Sequence, residues 1–233
     1  MVLIFARTHE TVILTAPAAR IPMRALPALT LALALLSPLV ALGQSPIQAR
    51  LPVYGQVVSF PLTLAAAPVF QVETPEGFFL MEWVPEGDSA EEWTQMQTLT
   101  GHQGVGQGVD TEGAARVGES IAVHFLNGYR GACQGEVAAL PLPLTLDQGS
   151  RASFAAYLGC PQVTGTDHSE EMVILVMVGA EDSYTLQWAE RGPARAAFDA
   201  AAFDRWRPRI ESLSQARLCL PAPGEGEPYP SCD

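Results

Sequence analysis

An apolar leader precedes all four cysteines of this 233-residue chain, and it constrains the fold more than any other feature. Met23 and Arg24 supply a short cationic start, residues 25–42 are almost wholly apolar, and residues 41–43 have the small-x-small pattern of a cleavage site. This order is typical of a secretory signal peptide, which predicts a segment from Met23 to Gly43. The mature protein is therefore expected to be periplasmic or secreted, where paired cysteines form disulfides.

A retained membrane anchor is the alternative interpretation, because about 18 apolar residues approach the length of a spanning helix. Pro27 and Pro38 interrupt the run, and no cationic cluster follows it to stop transfer. We therefore expect no stable membrane insertion once the signal is removed. Residues 1–22 are interpreted as a start-site extension, and residues 44–233 as a single domain with a cysteine-clamped tail.

The predicted mature chain is strongly acidic. The leader holds three of the 13 basic residues and one of the 25 carboxylates, so residues 44–233 keep ten arginines against 24 carboxylates, a net charge of −14. The chain contains no lysine. Nucleic acids and anionic lipids both require cationic surfaces, so the composition argues against either as a partner.

Four cysteines, Cys133, Cys160, Cys219 and Cys232, allow three disulfide pairings. Locality favours Cys219 with Cys232, around a proline- and glycine-rich tail, which leaves Cys133 to join Cys160. No C-x-x-C spacing occurs, so a thioredoxin-like motif and a paired-cysteine zinc knuckle both lack their signature. The cysteines are accordingly predicted to be structural.

Hydrophobic periodicity and turn residues predict strands and helices in a mixed order. The predicted strands are 56–64, 69–73, 78–84, 94–100, 137–146, 152–158, 172–178 and 184–188. Helices are expected over 110–127, ending at Gly128, and over 197–213, broken or kinked at Pro208. Ser89 and Glu92 form a capping-box pattern before a single helical turn.

The run from 172 to 178 is apolar at every position, so it must be covered on both faces of a sheet. Pro141 and Pro143 confine the strand over 137–146 to an edge. Short turns join most strands, which disfavours a parallel sheet. The sequence therefore predicts an α+β fold, a mostly antiparallel β-sheet flanked by helices and stabilised by disulfides.

No catalytic, cofactor-binding or metal-ligating set is identified. The glycine-rich loop 101–108 lies between a strand and a helix, but Val109 stands where a dinucleotide fingerprint needs its third glycine. It is interpreted as a connecting loop, with an anion site at the helix start as the alternative. Ser120 is expected within a helix, away from the strand-to-helix corner that a nucleophile elbow requires.

Isolated polar and aromatic side chains are given structural interpretations. His124 is predicted to be packed near the core, and residues 167–169 to form a polar loop. The pairs Glu91/Glu92 and Glu170/Glu171 are predicted to be solvated. The four tryptophans, Trp83, Trp93, Trp188 and Trp206, are predicted to serve packing.

Several phrases resemble a family of uncharacterised secreted proteins from alphaproteobacteria. They are EWVP (82–85), EEWTQM (91–96), YLGC (157–160), YTLQWAER (184–191) and PYPSC (228–232). The order of elements is also similar to the PsbP-like α/β/α sandwich. That resemblance implies a binding or assembly-helper role outside the cytoplasm, and the secreted family's cysteine pattern implies disulfides.

Three hypotheses for function follow. The first is a soluble exported domain that contacts an unknown envelope protein or small ligand without catalysis. The alternative is a periplasmic hydrolase with a dyad assembled from residues such as His102, His124 or Asp110. The third is a disulfide-locked envelope scaffold, which would self-associate without any ligand.

Overall fold

A computed structural model describes residues 47–146, 149–198 and 200–232. The predicted leader and its boundaries lie outside these residues. The strands are β1 (Ile47–Val53), β2 (Gln56–Leu62), β3 (Phe70–Glu73), β4 (Phe78–Trp83), β5 (Gln95–His102), β6 (Cys133–Gln134), β7 (Ala138–Leu142), β8 (Ala152–Cys160), β9 (Gln162–Val163), β10 (His168–Val178), β11 (Ser183–Pro193) and β12 (Arg217–Cys219). The helices are α1 (Thr111–Ala132) and α2 (Arg207–Leu213), with 3₁₀ helices at Ala200–Trp206 and Pro230–Cys232.

The main sheet has seven strands in the order β3-β4-β5-β11-β10-β8-β7, and every neighbouring pair is antiparallel. Strand β10 is buried from Glu171 to Val178, as its unbroken apolar run predicts. Alternate residues point to opposite faces, so Val173, Leu175 and Met177 enter one core cluster and Met172, Ile174 and Val176 enter another. Strand β7, with its proline, lies at an edge as predicted.

A second, three-stranded sheet in the order β1-β2-β12 packs on one face of the main sheet. Phe60 of β2 meets Trp83 of β4 edge to face, with ring centroids 5.7 Å apart. Helix α2 packs beside this small sheet and contacts β2, β10 and β11. The sequence does not predict β1 and β12, because β1 has no clear buried face, with three of its seven residues exposed and three half-buried, and β12 has only three residues.

Helix α1 packs on β8 and β10 on the opposite face of the main sheet. Ala114, Ala122, Phe125 and Tyr129 are buried along one side of the helix, as amphipathic spacing requires. The helix continues past Gly128 to Ala132, so the predicted stop at that glycine is wrong. The chain instead enters the disulfide at Cys133, which follows the last helical residue.

The second predicted helix is two shorter elements. A 3₁₀ helix, Ala200–Trp206, leads into α2 at Arg207, and Pro208 lies in the first turn of α2. The amides of a first turn have no partner within the helix, so proline there removes no bond and produces no kink. The predicted helix is therefore broken just before Pro208, between Trp206 and Arg207, and is not kinked at the proline.

The capping pattern at Ser89 also has a different outcome. The Ser89 hydroxyl accepts hydrogen bonds from the Glu91 and Glu92 amides, at 3.3 and 3.0 Å. The return bond runs from the Ser89 amide to the Glu92 carbonyl instead of its side chain, and a turn forms without the predicted helix.

The fold is α+β in character, mostly antiparallel sheet with two helices and two disulfides. In the part of the chain that the structure describes, neither helix has the length and apolar character needed to cross a membrane.

Candidate functional site

The four cysteines form two disulfides, Cys133–Cys160 and Cys219–Cys232, which is the pairing that locality predicts. The first joins the residue after α1 to the last residue of β8, with Cα atoms 5.5 Å apart. The second closes the tail after β12, with Cα atoms 5.6 Å apart. No cysteine is left free, so the chain offers no thiol for nucleophilic or redox chemistry.

A buried carboxylate, Glu171 on β10, is the centre of a polar network between the main sheet and the segment around α2. Its Oε1 accepts a hydrogen bond from Arg205 Nη2 at 2.5 Å and lies 3.1 Å from Arg195 Nη1. Its Oε2 accepts from the Tyr157 hydroxyl at 2.8 Å and from Trp206 Nε1 at 2.9 Å. The predicted solvation of this residue is wrong, since Glu171 is 1% exposed.

Glu190 lies directly opposite Glu171 on β11, and two carboxylates in that position repel one another. Arg205 bridges them, since its Nη1 donates to Glu190 Oε2 at 2.6 Å. Arg209 also pairs with Glu190, at 2.6 Å. Partial burial opposes the charged form of Arg205, but the two carboxylates outweigh it and raise the pKa of the guanidinium.

The environment of Glu171 suits a structural anchor and not a general base. Both of its oxygens are occupied by donors, so no lone pair is presented to a substrate. Burial and the hydrogen bond to Glu171 raise the pKa of Tyr157, which keeps that phenol protonated as the donor. The network therefore orders the chain around α2.

Glu170 points to the opposite face of the sheet, as an adjacent strand residue must. It accepts from the Tyr129 hydroxyl at 3.0 Å and from Arg191 Nε at 3.2 Å. The Arg191 guanidinium also lies 3.8 Å from the ring centroid of Trp93. This arrangement connects α1, β10, β11 and the loop before β5.

The face that carries α1 is apolar under the helix and polar beside it. Six polar side chains follow one another across β4, β5 and β11, and we call them the polar strip. They are Glu82, Thr98, Thr100, His102, Thr185 and Gln187. The threonines and Gln187 are buried, and Glu82 and His102 are half-buried. Helix α1 makes its main contacts with β8 and β10, so the polar strip lies next to the helix.

Hydrogen bonds order the middle of the polar strip. The Thr100 and Thr185 hydroxyls lie 2.6 Å apart, and Gln187 Nε2 donates to the Thr185 hydroxyl at 3.0 Å. Burial raises the pKa of the Glu82 carboxyl, and Arg191 partly opposes that effect. Burial also lowers the pKa of His102, and the nearby His124 lowers it further. Such shifted groups are enriched at functional sites, although structural networks also produce them.

The sequence predicts parts of the polar strip but does not show that they lie together. The alternation of Thr185 and Gln187 with Tyr184, Leu186 and Trp188 predicted one polar face for this strand, and the three apolar residues do enter the core. Nothing in the sequence alone points to Glu82 or Thr98. Polar and apolar residues alternate in parts of β4 and β5 as well, but the register between the strands, which brings these residues side by side, cannot be predicted from neighbouring residues in the chain.

The residues of the hydrolase alternative do not form a dyad. Asp110 is the N-cap of α1, and its side chain accepts from the Gly113 amide at 2.7 Å. His124 lies 14 residues further along the chain, about 21 Å at the helical rise. Its predicted packing is wrong, because it is exposed. His102 packs against the Phe78 ring, with centroids 5.3 Å apart, and no carboxylate among the described residues forms an ion pair or hydrogen bond with it.

The glycine-rich loop is held by the neighbouring turn. The Gly104 amide donates to Asp182 Oδ1 at 2.8 Å, and the Gly106 amide donates to the Glu181 carbonyl at 2.7 Å. The start of α1 is capped by Asp110 itself. Both features support the connecting-loop interpretation over an anion site.

The remaining sequence candidates have structural positions. Ser120 lies within α1, as predicted, and His168 and Ser169 belong to β10 instead of a loop. All four tryptophans are buried, which confirms their packing role, and Trp206 is also a donor to Glu171.

Among the described residues, no group of histidine, cysteine and carboxylate side chains is placed to hold a metal ion. No protein-family model matches the chain, and no curated protein matches it either. Conclusions about function therefore depend on the geometry of the chain itself.

Proposed function

We propose that this protein is an exported domain that binds an envelope protein or a small ligand and catalyses no reaction itself. The polar strip is the observation that carries the proposal. Buried hydroxyl, amide and carboxyl groups on a sheet face cost more desolvation than apolar residues would. Glu82 and His102 are only half-buried, so this part of the strip is accessible to a polar molecule that supplies complementary hydrogen bonds.

The resemblance to PsbP-like domains belongs to the same proposal. Helical cover on one face of an antiparallel sheet supports it, and an assembly-helper role would follow from it. The small sheet on the other face is a departure from three layers of the α/β/α type. Export is proposed from the leader, and the two disulfides are compatible with an oxidising compartment.

Capture in the native envelope tests the proposal. The chain contains no lysine, so amine-reactive crosslinkers have little to attach to, and a photo-activatable residue in place of Glu82 is the better reagent. We expect one reproducible protein or ligand adduct, identified by mass spectrometry, when the photo-activatable residue replaces Glu82. The matched control places the same residue at Glu112, an exposed position on α1.

Isosteric variants then assign the adduct to the polar strip. Thr98→Val removes a hydroxyl without changing side-chain shape, so it should lower capture and leave folding intact. Thr185→Val also deprives Thr100 and Gln187 of a buried partner, so it should lower capture and stability together. Identical adducts from positions 82 and 112, or no adduct at all, would contradict the proposal. Activity in a broad hydrolase screen that is lost in His102→Ala would favour the alternative.

A further inference from the structure

The edge strands of the two larger sheets differ in how they are protected from pairing with another strand. A strand at an edge presents unpaired backbone groups, and proline within it removes a donor and blocks pairing. Pro141 lies within β7 and Pro52 within β1, and both strands are edges. Strand β3, the other edge of the main sheet, contains no proline and is limited only by its four-residue length and Glu73.

The backbone of β3 has hydrogen-bonding groups directed away from β4. The Thr74 amide donates to the Phe78 carbonyl at 2.8 Å, which marks residues 74 and 78 as a hydrogen-bonded pair. Such pairs alternate along an antiparallel ladder, so Val72 and Phe70 face β4 and the N–H and C=O groups of Gln71 and Glu73 face outward. No strand in the described part of the chain pairs with them.

Apolar surface lies beside these outward groups. Phe70 is 44% exposed and Val69, immediately before it, is 39% exposed. An added strand would therefore gain side-chain contacts as well as main-chain hydrogen bonds, as strand addition to a sheet edge requires.

Charge selects among the molecules that could occupy this edge. Residues 51–115 contain nine carboxylates and no lysine or arginine, and Glu73 and Glu76 are exposed at or beside β3. Two copies of so acidic a chain repel one another, whereas a basic segment is attracted. We propose that β3 docks an extended, basic segment of a partner protein, which joins the main sheet as an eighth strand. This proposal rests on the proposed binding function and specifies how a protein partner attaches.

Two labelled peptides test the edge directly with the purified full chain. One alternates arginine and valine over six residues, and the other replaces each arginine with glutamate. We expect fluorescence anisotropy to detect saturable binding of the basic peptide alone, weaker as salt is added. Hydrogen exchange at the Gln71 and Glu73 amides should slow at saturation, because those amides become donors to the peptide.

Two variants distinguish the contribution of the Gln71 backbone N–H to peptide affinity from that of its side chain. Gln71→Pro removes one outward N–H and leaves the bonds to β4 intact, so affinity for the basic peptide should fall about tenfold, the scale of one lost hydrogen bond. Gln71→Thr keeps the N–H and should bind as the wild type does. If circular dichroism shows that Gln71→Pro is unfolded, hydrogen exchange at the Gln71 and Glu73 amides of the wild type tests strand addition instead.

Unchanged affinity in folded Gln71→Pro, or unchanged exchange at residues 71 and 73 under saturating peptide, would overturn strand addition. Protection of those amides in a dimer without peptide would also overturn it, in favour of a second copy.

The proposed binding function and strand addition at β3 can be tested separately. An envelope partner captured equally by wild type and Gln71→Pro would support the proposed binding function and exclude strand addition at β3. Binding of the basic peptide without any envelope partner would support strand addition and contradict the proposed binding function.

Discussion

At the residue scale, Glu171 combines several contacts that are far apart in the chain. Its carboxylate joins the buried Tyr157 of β8 and Trp206 to Arg195 and Arg205, whose side chains are 33% and 42% exposed. A buried charge is tolerated when it is paired and its oxygens are saturated with donors. The segment that leads into α2 is thereby fixed on the sheet.

Replacing Glu171 by glutamine should lower the free energy of unfolding by about 2 kcal/mol, the scale of hydrogen bonds to a charged group, because solvent screens Arg195 and Arg205, which are 33% and 42% exposed. Arg195 and Arg205 would then be left beside a neutral amide. Urea unfolding followed by tryptophan fluorescence measures the change. The matched control, Glu112→Gln, removes the exposed pair with Arg116 and should change stability by less than about 0.5 kcal/mol. Equal effects of the two variants would mean that Glu171 is not an anchor.

Glu82 gives a pH-dependent prediction. Burial raises its pKa, so the native state binds the proton more tightly than the unfolded state does. The stability that this proton contributes is complete below the unfolded pKa and is lost as pH rises through the native pKa. Glu82→Gln should therefore melt at a higher temperature than wild type at pH 7. The difference should vanish below about pH 4, where the unfolded carboxyl is also protonated.

Melting curves from pH 3 to pH 8 check this difference, with the exposed Glu76→Gln as the control. A lower melting temperature for Glu82→Gln at pH 7 would show that the attraction of the Arg191 charge outweighs burial.

At the element scale, α1 is defined at both ends by local chemistry. Asp110 caps its first turn and the disulfide at Cys133 follows its last residue. The cap and the amphipathic spacing are visible in the sequence, so the helix was predicted from its correct start. Its end was not, because Gly128 carries a stop signal that packing of Tyr129 against the sheet overrides.

Asp110→Ala should destabilise the protein by about 1 kcal/mol, the usual scale for a lost N-cap, while Asp110→Asn retains an acceptor and should be nearly neutral. Thermal unfolding by circular dichroism measures both. A loss of stability in Asp110→Asn equal to that in Asp110→Ala would mean that the charge, and not the cap, matters.

The two disulfides should contribute differently. Because each disulfide restricts the unfolded chain to a closed loop, each should stabilise the folded state by about 3 kcal/mol. Cys133–Cys160 joins elements of the main core, whereas Cys219–Cys232 closes a tail that is largely exposed between its ends. Removing the first pair by alanine substitution should therefore lower the melting temperature more than removing the second. Reversed effects, measured by calorimetry, would mean that the tail supports the core.

At the scale of the whole molecule, the main sheet of the described residues is covered by α1 on one face and by the small sheet and α2 on the other. The net charge of −14 for residues 44–233 opposes self-association. We expect sedimentation to give a monomer at low and moderate salt. Concentration-dependent dimers at low salt would instead favour the envelope-scaffold hypothesis.

The sequence by itself determined what depends on neighbours in the chain. Periodicity identified the buried run of β10, turn residues indicated antiparallel pairing, Asp110 marked the start of a helix, and close spacing indicated the partner of each cysteine. Each of these features depends on residues that lie within about ten to thirty positions of one another in the chain.

Tertiary structure decided what depends on distant pairing. Arg217 lies opposite Ser59 in the small sheet, and Trp206 meets Glu171, so no local pattern could predict β12 or the burial of that carboxylate. The polar strip likewise exists because the register sets Thr98 opposite both Glu82 and Gln187. The physical reason is that burial and desolvation are properties of the assembled core, whereas propensity and capping are properties of the chain.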